Sequence, residues 1–443
     1  MAMVEDGDGT WRRNLAVMWV TQFLSLMGFS MSMPFTPFFL RELGVADEGH
    51  VKAYAALAAA LANLALAVMA PLWGLLADRF GRKAMVLRAN FGAAIIVGLM
   101  GVAPSLSVFL LLRFLQGMFT GTMSASMTLV VSCTPVRRQG LALGILSSSV
   151  FSGDMAGLFL GGLLSSAFGF RQTFFLSGLT LGFSGLLVLW LARERFVRRR
   201  VDAAAAARRP SWRLRLAVLL PAAPLFGLFI LSTTARYLDN SQYPLFVEMH
   251  NGGKDVPGAA RWVSLVLCMG SIGAMVSGFV LGRLVDAYPT QVARFGAAGA
   301  ALFMALMAVV PFALGGLPRV SLTSGVGMWS SAAWAVVALM PLRFAMAFCA
   351  AGLEPVLNAW LSRITPPDRK GVMFGWAVTF RSIGAILAHS SAGVVAYFLG
   401  INAIFLVGPV LFLVLLPLIQ RTWKRLEARL HDDGAAGAAE TAT

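Results

Sequence analysis

Charge is what this sequence has least of. Asp, Glu, Lys and Arg make up only 13% of the 443 residues, whereas apolar residues make up 58%. A soluble globule carries about a quarter of its residues as charges, so this balance excludes one and calls for a chain that spends its length in lipid. Cysteine is scarcer still. The three present, Cys133, Cys268 and Cys349, are odd in number and sit in apolar surroundings, which supports neither a disulfide framework nor a metal cluster. No Walker loop, nucleophile elbow or His/Cys/Asp ligand spacing occurs. Gly252-Gly253-Lys254 and Gly315-Gly316 lack the strand-to-helix setting of a phosphate cradle. The sequence therefore speaks against an ATP-driven pump and against an enzyme, and it implies no cofactor.

What is present is a series of long apolar runs. Taking about 20 residues per crossing, the chain reads as twelve spans centred near residues 28, 65, 94, 119, 154, 182, 234, 272, 303, 347, 385 and 411. The expected class is an all-α membrane protein. The net charge of +16 would suggest nucleic acid in a soluble protein, but the arginines concentrate in alternate loops, which is a signature of orientation. Arg12 and Arg13, the 79–83 turn, Arg137 and Arg138, the 193–215 stretch, Arg363 to Lys370 and the 421–429 segment share one face. The expected placement is a cytoplasmic membrane with both termini inside and no nucleic-acid partner. The run from Leu15 to Leu40 is too long for a signal peptide and reads as a retained first span.

The two halves repeat each other. Arg113-Phe114 opens span four, which ends at Thr134-Pro135; Arg343-Phe344 opens span ten, which ends at Thr365-Pro366. Gly140 to Gly169 has the spacing of Gly371 to Gly400, and Pro37 in span one answers to Pro244 in span seven. The expectation is two six-helix bundles, residues 1–195 and 214–428, related by a pseudo-two-fold axis along the membrane normal and joined by a basic cytoplasmic linker, 196–213. Residues 429–443 read as a disordered tail. A chain that supplies both halves of a pathway is expected to work as a monomer.

Between spans two and three lies Gly74-Leu75-Leu76-Ala77-Asp78-Arg79-Phe80-Gly81-Arg82-Lys83. This turn resembles the loop between helices two and three of the major facilitator superfamily, whose members are secondary transporters. Arg113 with Phe114-Leu115-Gln116-Gly117 looks like that superfamily's fourth-helix arginine element. Gly153, Gly157, Gly161 and Gly162 resemble the exporters' antiporter motif on span five, with Leu158 where the motif has proline. Met33-Pro34-Phe35-Thr36-Pro37 and Phe380-Arg381-Ser382-Ile383-Gly384 add a likeness to the twelve-helix drug:proton antiporters of the MdtG type. The resemblance implies proton-coupled export of amphipathic or cationic drug-like molecules by alternating access. A transporter for one metabolite, such as a sugar or organic acid, is the other reading of the same fold.

Ionisable groups inside spans cost about 2.5–3.5 kcal/mol each, so each needs a role. Asp154, Glu354, Asp239 and Arg113 are the candidates for proton coupling, with protons as the coupling ion. Arg236, Asp239, Asn240, Gln242 and Tyr243 on span seven, beside the helix-interrupting Pro244, together with Glu354 and Asn358 on span ten, are the candidates for binding substrate. The resemblance implies that Gly74, Asp78, Arg79, Gly81, Arg82, Lys83 and Arg381 are conformational-switch residues, with Arg381 either snorkelling or pairing with Asp78 or a helix end. The four span-five glycines are read as a helix interface. His389, single in an Ala/Ser-rich helix, reads as a packing or hydrogen-bonding residue rather than a relay.

Overall fold

In lipid, a backbone that crosses must satisfy its own hydrogen bonds, and the computed structural model does so with helices throughout. It describes residues 10–135, 138–194, 222–251, 256–285, 287–314, 333–365 and 370–440. Twelve spans result. Eight are single helices: Glu48–Phe80 (span two), Arg82–Gly101 (three), Gln139–Phe168 (five), Phe170–Leu191 (six), Val256–Val280 (eight), Pro289–Leu314 (nine), Lys370–Phe398 (eleven) and Ile401–Glu440 (twelve). The other four are broken: span one into Thr10–Ser32 and Thr36–Glu42, span four into Leu106–Phe119 and Thr122–Cys133, span seven into Ala223–Tyr237 and Tyr243–His250, span ten into Trp334–Ala351 and Leu353–Ile364.

The breaks have sequence causes. Pro37 and Pro244 each stand in the first turn of the outer piece of their span, where a missing N–H is harmless, and the chain reorganises just before them. Span four breaks at Gly121, whose φ of 117° belongs to the left-handed region. Among the described residues, ten stretches are long and apolar enough to cross as continuous segments, and the pieces of spans four and seven are not among them. Gly169 and Gly400, matched in the repeat, turn the chain between spans five and six and between eleven and twelve with φ of 88° and 87°.

Within the first six spans, one packs on five and six, three on six, and two on four. Within the last six, nine packs on ten and twelve, eight on ten, and seven on eleven and twelve. The two sets meet where five packs on eight and two packs on eleven. Phe39, Phe109 and Phe174 form a tilted cluster with centroids 4.9–6.1 Å apart at the arginine-poor end of the first set. Phe246 and Phe405, 4.0 Å apart, do the same in the second.

The helix of span twelve runs to Glu440, through a segment whose alanines favour helix. The linker, 196–213, and residues 441–443 lie outside the described residues.

Candidate functional site

A cavity of about 380 Å³ opens where the two sets of spans face each other. Its polar lining includes Arg113 and Gln116 from span four, Asp154 from span five, Arg236 and Asn240 from span seven, and His389 from span eleven. Toward the arginine-poor face the two sets are tied together. Arg41 of span one donates to Glu248 of span seven at 2.7 Å, and to Glu48 at 3.0 Å. Gln242 donates to the Lys52 carbonyl at 2.9 Å, Arg261 to the Ser166 hydroxyl at 2.7 Å, and the His50 ring packs on Tyr397.

Asp154 is placed by the glycine stripe. A Cβ at Gly153, Gly157 or Gly161 would run into the backbone of Phe23, Met27 or Met31, so the stripe seats span five directly on span one. Gly162 turns the other way, onto Ser264 and Ala260 of span eight. Asp154, beside this seam, accepts hydrogen bonds from the Ser30 hydroxyl on span one and the Ser271 hydroxyl on span eight. Its two oxygens thus touch both halves of the chain. Leu158, at the motif's proline position, lines the cavity, and span five runs through it without a break. Gly157→Leu should push span five off span one and reduce the yield of monodisperse protein in detergent severalfold; gel filtration beside the parent checks this, and an unchanged profile would refute the close seam.

The repeat brings two arginines to matching places with different partners. Arg343 makes an ion pair with the fully buried Asp239, donates to the Asn240 amide oxygen at 3.2 Å, and lies 4.3 Å over the Tyr243 ring. With Arg113 matched to Arg343 and Pro37 to Pro244, Asp239 corresponds to Ser32, Asn240 to Met33 and Tyr243 to Thr36. Arg113 does meet Met33, its Nη1 pointing at the sulfur, and donates to the Thr36 hydroxyl at 2.6 Å and to the Gln116 amide oxygen at 3.2 Å. The acid is missing: Ser32 stands in its place, with its hydroxyl buried and without a partner.

Glu354 is clamped by two cations of its own half, Arg236 at 3.1 Å and Arg381. Arg381 thus has its acid on span ten, and the Asp78 side chain lies outside the described ones. Arg236 also lines the cavity, as Asp154 does.

Several predicted binding residues stand behind the cavity wall. Asp239 is committed to Arg343, Gln242 to Lys52, and Tyr243 is fully buried with its hydroxyl 3.5 Å from the Met307 sulfur. Asn358 keeps a buried oxygen without a partner, away from the cavity lining. Arg236 and Asn240 line the cavity, and so does His389, which packs edge-on to Tyr237 with a partnerless Nδ1.

The 74–83 turn acts partly through its backbone. The Glu194 carboxylate accepts from the Arg82 and Lys83 backbone amides at 2.9 and 2.8 Å, capping the start of span three, where the positive helix end favours an anion. Lys83 returns the favour, donating to the Leu189 and Ala192 carbonyls at the end of span six. The side chains of Gly74, Asp78 and Arg79 lie outside the described ones. Arg343, Ser271, Glu194 and the Arg41–Glu248 tie escaped the sequence reading; the repeat pairing of Arg343 with Arg113 was the available signal for the first. Among the described residues, no three His, Cys, Asp or Glu side chains gather to hold a metal ion.

Comparison with known proteins follows this geometry. The family model described as Major Facilitator Superfamily matches residues 18–340. The chain is 29% identical over 405 residues to a protein of Lactococcus lactis subsp. lactis (strain IL1403) named a multi-drug resistance efflux pump PmrA homolog, covering 91% of this chain and 93% of that one. It is also 29% identical over 405 residues to the multidrug resistance protein MdtG of Klebsiella pneumoniae (strain 342), covering 91% and 92%. Among solved structures, a bacterial homologue of the human lysosomal transporter Spinster, inward-facing and occupied, superposes with a TM-score of 0.68 at 15% identity, covering 95% of this chain and 98% of that one. This multi-pass membrane protein belongs to the Major Facilitator Superfamily and has its twelve-helix fold.

Proposed function

We propose that the protein exports amphipathic, drug-like molecules, cationic ones among them, in exchange for protons. The observation that carries this reading is Asp154: an acid on the cavity wall held by two neutral hydroxyls, one from each half, and, among the described residues, by no cation within ion-pairing distance. An acid so placed exchanges a proton with the cavity, or meets a ligand cation, without breaking a structural ion pair. Glu354, held by two arginines, serves as the second charge of the relay through Arg236. The arginine-rich face is cytoplasmic, residues 1–195 and 214–428 rock as two bodies about the cavity, and a single chain suffices. The names of the PmrA and MdtG relatives agree with this substrate class.

The test uses the parent in proteoliposomes with an imposed pH gradient and ethidium as the probe. Ethidium should accumulate against its concentration while the gradient lasts and redistribute when an ionophore collapses it. Ethidium movement that ignores the gradient would remove proton coupling. No movement at all would remove the multidrug reading and turn the search to single metabolites.

A further inference from the structure

Of the four arginines described in and around the cavity, three have an acid. Arg343 has Asp239, while Arg236 and Arg381 share Glu354. Arg113 has none. It is 6% exposed and lines the cavity; among the described residues its polar partners are the Thr36 hydroxyl, the Gln116 amide oxygen and the Met33 sulfur, the Phe109 ring lies 5.7 Å away, and its Nε is left without a partner. The repeat shows what a satisfied version looks like, because the matching position in the second half carries Asp239 and the first half carries Ser32. A buried guanidinium keeps its charge, so the missing anion leaves uncompensated positive potential at one wall of a space large enough for a ligand.

We propose that Arg113, with Thr36 and Gln116, is an anion-binding site, and that the molecules the cavity takes include amphipaths bearing a carboxylate. The guanidinium is already dehydrated by folding. An arriving carboxylate thus meets a cation that needs no further stripping of water, and it gains charge-assisted, potentially bidentate hydrogen bonds. Thr36 and Gln116 are neutral, so neither repels it. The apolar remainder of the ligand lies along Met33, Pro34 and Leu158, which line the same cavity. Asp154 holds two hydroxyls elsewhere on the lining, so among the described residues the cavity presents one acid without a cation and one cation without an acid, and its ligands are sorted by where their charge sits. This inference adds a substrate class to the exporter reading above and rests on it for transport, whereas binding is tested without it.

The experiment is a fluorescence anisotropy titration of the full chain in lipid nanodiscs with three probes sharing one apolar body: pyrenebutyrate, pyrenebutanol and pyrenebutylamine. The parent should bind the carboxylate at least about tenfold more tightly than the alcohol, the scale of one charge-assisted hydrogen bond. Arg113→Gln should level the two. Ser32→Asp, which installs the acid found in the second half, should do the same with Arg113 still in place, and it keeps the test valid if Arg113→Gln folds poorly. A parent that binds all three probes alike, or a carboxylate preference that survives both substitutions, overturns the anion site while leaving the exporter reading intact. A parent that binds none of the three overturns both.

Discussion

Asp239→Ala should destabilise the protein by about 3–5 kcal/mol, the cost of leaving a buried charge without its partner. Asp239 is fully buried and Arg343 nearly so, and the pair joins span seven to span ten behind the cavity. Removing the acid leaves Arg343 with the Asn240 amide and the face of Tyr243, neither of which replaces a carboxylate at this depth. Adding Arg343→Met should recover most of the loss, because an apolar side chain of similar length needs no counter-ion. Arg113→Met should cost far less than Asp239→Ala: Arg113 has no buried acid to strand, and its removal relieves an uncompensated charge. Thermal unfolding of the four proteins in one detergent, at one pH and salt, checks the order. If Asp239→Ala melts with the parent, or the double variant is no better than the single, the ion pair does not hold the second half together.

This contrast also marks what the sequence could and could not disclose. Span number, the repeat and the broken first spans were legible, because hydropathy and proline act locally and the bilayer enforces helices. The glycine stripe was legible as an interface, since a four-residue spacing of glycines has few other uses, but not its division between span one and span eight. Asp239, Gln242 and Tyr243 were read as binding residues because polar groups beside a helix break point to a cavity. Whether such a group faces the cavity or a neighbouring helix depends on the rotation of the span, which no local rule supplies. The partner of Arg381 was not legible for a similar reason. That partner, Glu354, is 27 residues away on another span, and only packing brings the two together. Glu194 capping span three, and Ser30 and Ser271 meeting Asp154, are equally long-range. Serines in spans are common enough that nothing distinguishes these two in the sequence.

Asp154→Asn should reduce gradient-driven accumulation of ethidium by about a hundredfold or more, the lower end of what a positioned proton-transfer group contributes. The ionised carboxylate accepts from Ser30 and Ser271 at once, one hydroxyl on each oxygen, and in that form it draws spans one, five and eight together. Protonation converts one oxygen into a donor. That oxygen then holds its serine only if the hydroxyl reverses, so the strength of the tie between halves depends on the proton. Asn fixes one side of the group as a permanent donor and resembles the protonated acid without being able to release anything. The variant should therefore still exchange ethidium down its own gradient, within about twofold of the parent, because the cavity keeps its shape while the link to protons is cut. Ser271→Ala should fall between the two, since it removes the tie across the halves but leaves an acid that titrates. Parallel uphill and downhill assays in the same proteoliposomes separate these outcomes. If Asp154→Asn accumulates ethidium as the parent does, the proton is carried elsewhere, and Glu354→Gln becomes the variant that must fail. If both directions are lost together, Asp154 is holding the fold or binding the substrate, and its charge has no separate part in coupling.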